Sequence, residues 1–448
     1  MRDETVAYEQ VGAFDDDDGE SDTSSCDEAE AHANGNADPT DAPLPSQPTT
    51  STTSCSLLRI GGALSVLAGA VCLASVYQHD ERFQFVRQRY HAGDHGQDQH
   101  MQQQEQHADG GGEFSAELAY ETAPFDIPYT KIECQPCSKA SHLMNPLAPY
   151  AIIGGAMKGG TRALLTYLSQ HPDVYSHQGK EIHMLDNSKI KVFASRDDPV
   201  CDQCKILGTY REEYRERKRS SLLPHEERDR DLIFFDKSPS YMVMSHITPQ
   251  RVLCAFPETA KVIFTLRNPV DRSYSHYQHC VHKHRHEKEN QECGGSFEDY
   301  IDKDYGSLLA AGVFNASSPI EEYETFLRYH HSKGNAKNFA LAKGLYAITL
   351  RQWIAVFRDH FGEDNWQDHL MIIESERMRE HKQEVFGETL DFLDMKPYEL
   401  QTEEEYHVGS YDPMSDEMRV RLEEFYRPFN ARLVQMLSPF GIDISWAK

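Results

Sequence analysis

The sequence predicts an α/β fold, a mostly parallel central sheet flanked by helices, confined to residues 131–448 of a 448-residue chain. Two observations carry this. Short apolar runs alternate with helical patterns through that region, an order that builds parallel strands covered by helices on both faces. The first of these runs also ends in glycines that open directly into a helix, the usual strand–turn–helix junction of such folds.

The chain ahead of this region reads differently. Residues 1–130 hold 24 acidic and five basic side chains, a net of −19 out of the whole-chain −27. Global acidity therefore describes the N-terminal third, and no basic stripe exists that would suit nucleic acid. Residues 1–56 are acidic, Ser/Thr-rich and poor in apolar side chains, the composition of a disordered tail. Residues 57–78 carry a single charge, Arg59, and are long enough for one transmembrane helix. Residues 79–130, rich in Gln, His and Gly, suit a flexible stem. Arg82, Arg87 and Arg89 follow the span, so charge counting alone puts the C-terminal side in the cytosol.

Within 131–448, strands are expected at Tyr150 to Ala156, Leu232 to Phe235, Lys261 to Leu266 and Leu370 to Ile373. Helices are expected at Thr161 to Gln170, Val270 to His284, Leu345 to His360, Lys382 to Leu393 and Glu417 to Leu437. The highly charged stretch 195–230 reads as a surface excursion. Cys134, Cys137, Cys201 and Cys204 form two Cys-x-x-Cys pairs, open to a four-thiolate zinc site or to disulfides. Cys280 and Cys293 bracket a polar loop and suit another bridge, which leaves Cys254 as the odd thiol.

Two motifs carry chemistry. Gly154-Gly155-Ala156-Met157-Lys158-Gly159-Gly160-Thr161-Arg162 joins the first strand to its helix. Glycines let the backbone approach a ligand, the helix start offers N–H groups to an anion, and Lys158 adds charge. A nucleotide triphosphate loop would end in Gly-Lys-Ser/Thr; here the lysine precedes the glycine pair, which argues against a metal-dependent kinase. The second motif, Phe264 to Ser275, ends a strand at Arg267 and opens a helix at Pro269, with Ser275 about two turns along. An arginine fork with a nearby hydroxyl suits a phosphate.

Together these motifs resemble the 5′-phosphosulfate loop and the 3′-phosphate site of sulfotransferases, within a phosphate-loop-like α/β fold. The resemblance is strongest to the carbohydrate enzymes of Golgi membranes, especially the heparan sulfate glucosaminyl sulfotransferases. It implies 3′-phosphoadenylyl sulfate (PAPS) as donor, no metal, and a glycosaminoglycan-like polysaccharide as acceptor. It implies that Lys158, Gly159, Gly160, Thr161 and Arg162 hold the phosphosulfate and that Arg267 and Ser275 hold the 3′-phosphate. Glu181-Ile182-His183-Met184-Leu185-Asp186 resembles the segment whose glutamate is the base in O-sulfating relatives, and Phe235 to Tyr241 resembles the segment whose lysine lies beside the reacting centre. Glu181, His183, Lys237 and Lys158 are thus the expected catalytic set, with Glu181 as base and His183 next in line for that role. The resemblance also implies a single-pass type II protein with its catalytic domain in the Golgi lumen, where Asn315-Ala316-Ser317 is an available glycosylation sequon.

Gly344-Leu345-Tyr346, Trp353 and Phe425 to Asn430 match further family landmarks, read here as packing first. One departure stands out. Where heparan enzymes carry Lys-Gly-Arg before the final helix, this chain has His407-Val408-Gly409-Ser410-Tyr411. A chondroitin or dermatan type enzyme, or one acting on an algal or protist polysaccharide, stays open beside the heparan type. N-sulfation of an amino sugar and a non-catalytic glycan-binding protein on the same fold are the alternative functions. His276, His279, His282, His284 and His286 are irregularly spaced and read as a solvated helix end facing an anionic acceptor, not as a metal site.

Overall fold

The computed structural model describes residues 129, 131–139, 149–175, 181–186, 199–219, 232–284, 293, 295–331, 340–402 and 411–447. The expected tail and span, and the stem apart from Tyr129, lie outside these residues. Among the described residues no helix is long and apolar enough to cross a membrane.

The chain runs through β1 (Glu133–Gln135), β2 (Ala151–Gly155), α1 (Thr161–Leu168), β3 (Val200–Asp202), α2 (Gln203–Arg219), β4 (Phe235–Lys237), α3 (Thr248–Ala255), β5 (Val262–Leu266), α4 (Pro269–His284), α5 (Phe297–Ala311), α6 (Pro319–His331), α7 (Tyr346–Phe361), β6 (Leu370–Glu374), α8 (Ser375–Glu380), α9 (Lys382–Phe392) and α10 (Asp416–Leu437). The main sheet has the order β4-β2-β5-β6 and every neighbouring pair is parallel. A separate two-stranded sheet pairs β1 with β3.

The alternation of side chains along β2 divides the core. Ile152 faces one layer with Phe264, Trp353, Leu350 and Leu433. Ala151 and Ile153 face the other, with Leu164 and Leu168 of α1 and Phe386 and Leu390 of α9. Both faces of the sheet are therefore covered, as a parallel sheet requires. Trp353 is fully buried, meets Phe264 edge-on with ring centroids 5.0 Å apart, and donates its indole N–H to the Met242 carbonyl at 3.2 Å. Two of the sequence landmarks also meet: a Cβ at Gly344 would lie 2.7 Å from the Tyr426 hydroxyl, so only glycine fits beneath that ring.

Several expectations are corrected. The strand expected at Leu232 to Phe235 is β4, Phe235–Lys237, because Ile233 bridges instead to Val174. The stretch 195–230 is not an excursion throughout. Residues 203–219 form α2, which buries Ile206, Leu207, Tyr210 and Tyr214 as a helical stripe beneath its charges. The cysteines pair across the fold rather than within their motifs: Cys134 with Cys254 (Cα–Cα 5.6 Å) and Cys137 with Cys204 (4.8 Å). Cys254 is thus not the odd thiol. Cys201, fully buried, lies outside these pairs because its side chain joins the apolar core. Cys280 and Cys293 lie opposite one another at 5.9 Å, as the bracketed loop suggests.

Trp353→Ala is expected to destabilise the domain by about 3–5 kcal/mol, the range for emptying a large aromatic site in a packed core. Urea denaturation of both proteins checks this, and a change under about 1 kcal/mol would show that Trp353 is not the centre of this layer.

Candidate active site

In a parallel sheet all strand C-termini lie along one edge, and the loops that leave them converge there. Across that edge the order β4-β2-β5-β6 sets out Lys237, the glycine loop, Arg267 and Ser375–Glu376. Lys237 is in register with Ile153 on β2, three residues before the loop begins at Ala156. On the other side, the Ala156 N–H donates to the Thr265 carbonyl at 2.9 Å, which ties the loop to β5 two residues before Arg267.

The loop is shaped for close approach. A Cβ at Gly159 would lie inside contact distance of the Thr265 carbonyl and 2.8 Å from that of Ala156. Gly160 caps α1 with φ of 95° and offers no side chain to the helix start, so the first-turn N–H groups have no side-chain cap. Lys158 has φ of 63°, a region that costs a non-glycine residue energy. Thr161 is buried at the start of α1, and Arg162 is exposed beside it.

Arg272, fully buried in α4, reaches the Met157 carbonyl at 3.4 Å and the Ala340 carbonyl. Lys343 Nζ lies 3.0 Å from Met157 Sδ. Their charges concentrate around His276, whose ring is driven well below its usual range by burial and then by Lys343, Arg272 and Lys158. His276 is therefore a neutral, buried group and not part of a solvated helix end.

Arg267 follows the last residue of β5. Its carbonyl accepts the Tyr346 hydroxyl at 2.9 Å, and the next peptide is held by Glu376. Among the described residues no group hydrogen-bonds the Arg267 guanidinium or Ser275 Oγ. Arg267 is half-buried and Ser275, about two turns along, is largely buried; a guanidinium fork and a hydroxyl of this kind suit a phosphate. The residues present fit the PAPS donor implied above.

At the β4 end, each residue of the run 236–241 other than Pro239 has a defined partner. Asp236 is fully buried and accepts from Tyr210 (2.6 Å), Tyr241 (2.7 Å) and Ser238 (2.6 Å). Burial raises its carboxyl pKa, and these three hydroxyls oppose the rise. Ser238 Oγ also accepts the His183 N–H at 2.9 Å, and the Tyr241 hydroxyl accepts the Leu185 N–H at 3.0 Å. Arg251 donates to the Leu185 carbonyl at 2.7 Å. The segment 181–186 is thereby fixed against β4 although it is not itself a strand. The place of Glu181 on this edge comes from these contacts.

Lys237 Nζ donates to Glu181 Oε1 at 2.7 Å. His183 Nε2 lies 3.1 Å from Glu181 Oε2, while its Nδ1 faces Asp186 at 3.2 Å and Ser240 at 3.1 Å. Burial lowers the His183 pKa, but the bonds and charges of Asp186 and Glu181 outweigh it and push the ring up to about 10. At neutral pH His183 is an imidazolium between two carboxylates, so it cannot serve as the reserve base. His183 (φ 54°) and Lys158 are two of the three non-glycine residues with positive φ among the described residues, and such strain gathers at functional sites.

The structure thus groups Glu181, His183 and Lys237 directly, and places Lys158, Gly159, Gly160 and Thr161 on the adjoining loop. Asp186, Ser240, Arg272 and Lys343 are site residues that sequence reasoning did not single out. Asp186 and Ser240 lie inside the two quoted motifs, which was the available signal.

Comparison with known proteins follows the same span. The sequence matches the Sulfotransferase domain family over residues 149–427. The human heparan sulfate glucosamine 3-O-sulfotransferase 6 is 27% identical over 325 residues, 66% of this chain and 73% of the relative. Human carbohydrate sulfotransferase 15 is 25% identical over 327 residues, 65% of this chain and 53% of that protein, so the chain spans about half of its length. A crystal structure of a sulfotransferase from Alicyclobacillus acidocaldarius shares 26% identity, with a TM-score of 0.42 over 67% of this chain and 99% of the other. The matched family covers the main sheet, the glycine loop and the Arg267 turn, and the chain belongs to the sulfotransferase family.

Proposed function

We propose that this protein transfers a sulfuryl group from PAPS to a hydroxyl of a glycosaminoglycan-like polysaccharide, with Glu181 as base. The observation that carries this reading is the Lys237–Glu181 pair on the strand next to the glycine loop. The relatives, a heparan sulfate glucosamine 3-O-sulfotransferase and a carbohydrate sulfotransferase, support a glycan acceptor.

Sulfuryl transfer resembles phosphoryl transfer: in-line displacement helped mainly by positioning and charge. Lys158 and the α1 start receive the phosphosulfate, and Arg267 with Ser275 receives the 3′-phosphate. As the acceptor oxygen bonds to sulfur, the bond from sulfur to the 5′-phosphate oxygen breaks, and Glu181 takes the hydroxyl proton. Before the donor enters, both Glu181 oxygens are engaged. Lys237 frees Oε1 by turning toward the sulfuryl group, where its charge is needed. His183 keeps the carboxylate oriented through Oε2.

The same reading places residues 131–448 in the Golgi lumen, anchored by 57–78. Three cysteine pairs at disulfide geometry and an exposed Asn315 support an oxidising, glycosylating compartment. Protease digestion of this domain in intact vesicles would overturn that placement.

Glu181→Gln is expected to lower turnover by about 10²–10⁴-fold with donor affinity nearly unchanged. Radiolabelled sulfate transfer to a glycan panel measures it, and turnover within a few-fold of wild type would move the base elsewhere. Arg267→Ala is expected to weaken 3′-phosphoadenosine 5′-phosphate binding by about 1.5–3 kcal/mol, with or without chelator. Calorimetry that finds equal affinity would remove Arg267 from the donor site.

The His183 ring has its pKa raised on folding, so its stabilising contribution is fully present below the ordinary histidine value of 6.5 and is lost as pH rises through about 10. Thermal melting of His183→Gln and wild type should therefore differ most at the acidic end of that window and converge at the alkaline end. A constant difference would contradict the charged state assigned to this ring.

A further inference from the structure

Strand β6 ends at Glu374, and the first turn of α8 touches both anion-holding segments although neither of its contacting side chains is cationic. Ser375 Oγ donates to the Gly159 carbonyl inside the glycine loop. Glu376 Oε1 accepts the Asn268 N–H at 3.0 Å, from the residue directly after Arg267. Asn268 in turn uses its Oδ1 to accept the Val270 N–H at 3.0 Å, which sets the start of α4 and hence the placement of Ser275. A Cβ on Gly160 would lie 3.0 Å from Met378 Cε and 3.3 Å from Ser375 Oγ, so this turn also packs on the loop's second glycine.

An acidic residue at a helix start commonly serves its own helix dipole. Glu376 bonds its own backbone N–H and also reaches a peptide 108 positions away in sequence. Its other oxygen, Oε2, is buried with no hydrogen-bond partner. That desolvation raises its pKa, while the Asn268 N–H and the charge of Arg267 act in the opposite sense. A carboxylate held in so costly a place is doing something for the Arg267 turn.

We propose that Ser375 and Glu376 form a clasp that sets the spacing between the glycine loop and the Arg267 turn, acting as positioning residues for a donor whose two phosphate groups must be held at once. The proposal rests on the donor reading above and adds a determinant of donor specificity to it. A ligand with one phosphate needs only one of the two segments, whereas a ligand with both needs their separation to be right.

The test is calorimetry, direct or by competition, with three probes: 3′-phosphoadenosine 5′-phosphate, adenosine 5′-monophosphate and adenosine 3′-monophosphate. Ser375→Ala and Glu376→Ala should each weaken the bisphosphate by about tenfold, the scale of one hydrogen bond lost from a tight geometry, and each monophosphate by less than about threefold. Glu376→Gln keeps a carbonyl oxygen for the Asn268 N–H and should restore bisphosphate binding to within about threefold of wild type. Equal weakening of all three probes, or none in either alanine variant, overturns the clasp. Wild-type protein with no affinity for the bisphosphate overturns the donor reading itself, which separates the two failures.

Discussion

The Asp236 carboxylate, sealed from solvent at the start of the reacting edge, is the group on which the site's geometry depends. A lone buried carboxylate would be costly, and this one is tolerable because three hydroxyls point at it. Two of those hydroxyls are polarised twice. Ser238 and Tyr241 each donate to Asp236 and each accept a backbone N–H from the segment 181–186. Charge in the core is thereby transmitted to the two peptides that flank the reacting groups. Tyr210 brings in α2 as the third leg. A change at Asp236 would release β4, α2 and the glutamate segment together, since all three are tied to the same two oxygens.

Charge at the site is balanced locally. Glu181 and Asp186 face Lys237 and the His183 imidazolium, two carboxylates against two cations, within a network of bonds near 3 Å. On the adjoining loop the balance tips. Burial, reinforced by the charges of Lys343, Arg272 and Lys158, keeps His276 neutral there. The neutral half suits the arrival of a sugar hydroxyl and the cationic half suits an anionic donor. Strand order alone separates the two halves.

Much of the fold was legible because strand and helix periodicity is local. The β2, β5 and β6 runs, the glycine loop and the helices after them all fell within a few residues of the expected positions. What escaped was whatever depends on convergence. The stripe of α2 is four buried residues among many charges, so composition hid it. The two Cys-x-x-Cys motifs suggested a set of four that left Cys254 over, whereas Cys134 pairs with Cys254 across 120 residues and Cys137 with Cys204 across 67. Glu181, His183 and Lys237 were visible as motifs, but the roles of Asp186 and Ser240 emerge only once the two segments lie side by side. The burial of His276 could not be read from a histidine-rich run in which His279 is half-buried and His282 exposed.

The cysteine pairs have a mechanical consequence. α3 carries the chain from the reacting edge to the opposite end of the sheet, where β5 begins, and Cys254 sits at that far end. Cys134 is paired there, Ile132 donates its N–H to Gln250 at 2.7 Å, and Tyr129 bonds Asp359 near the end of α7 at 2.5 Å. Tyr129, Ile132 and Cys134 are thus fastened to the floor of the domain. A load applied at Tyr129 or Cys134 is therefore carried into the floor through Asp359, Gln250 and Cys254, and not into the edge where Glu181 meets Lys237.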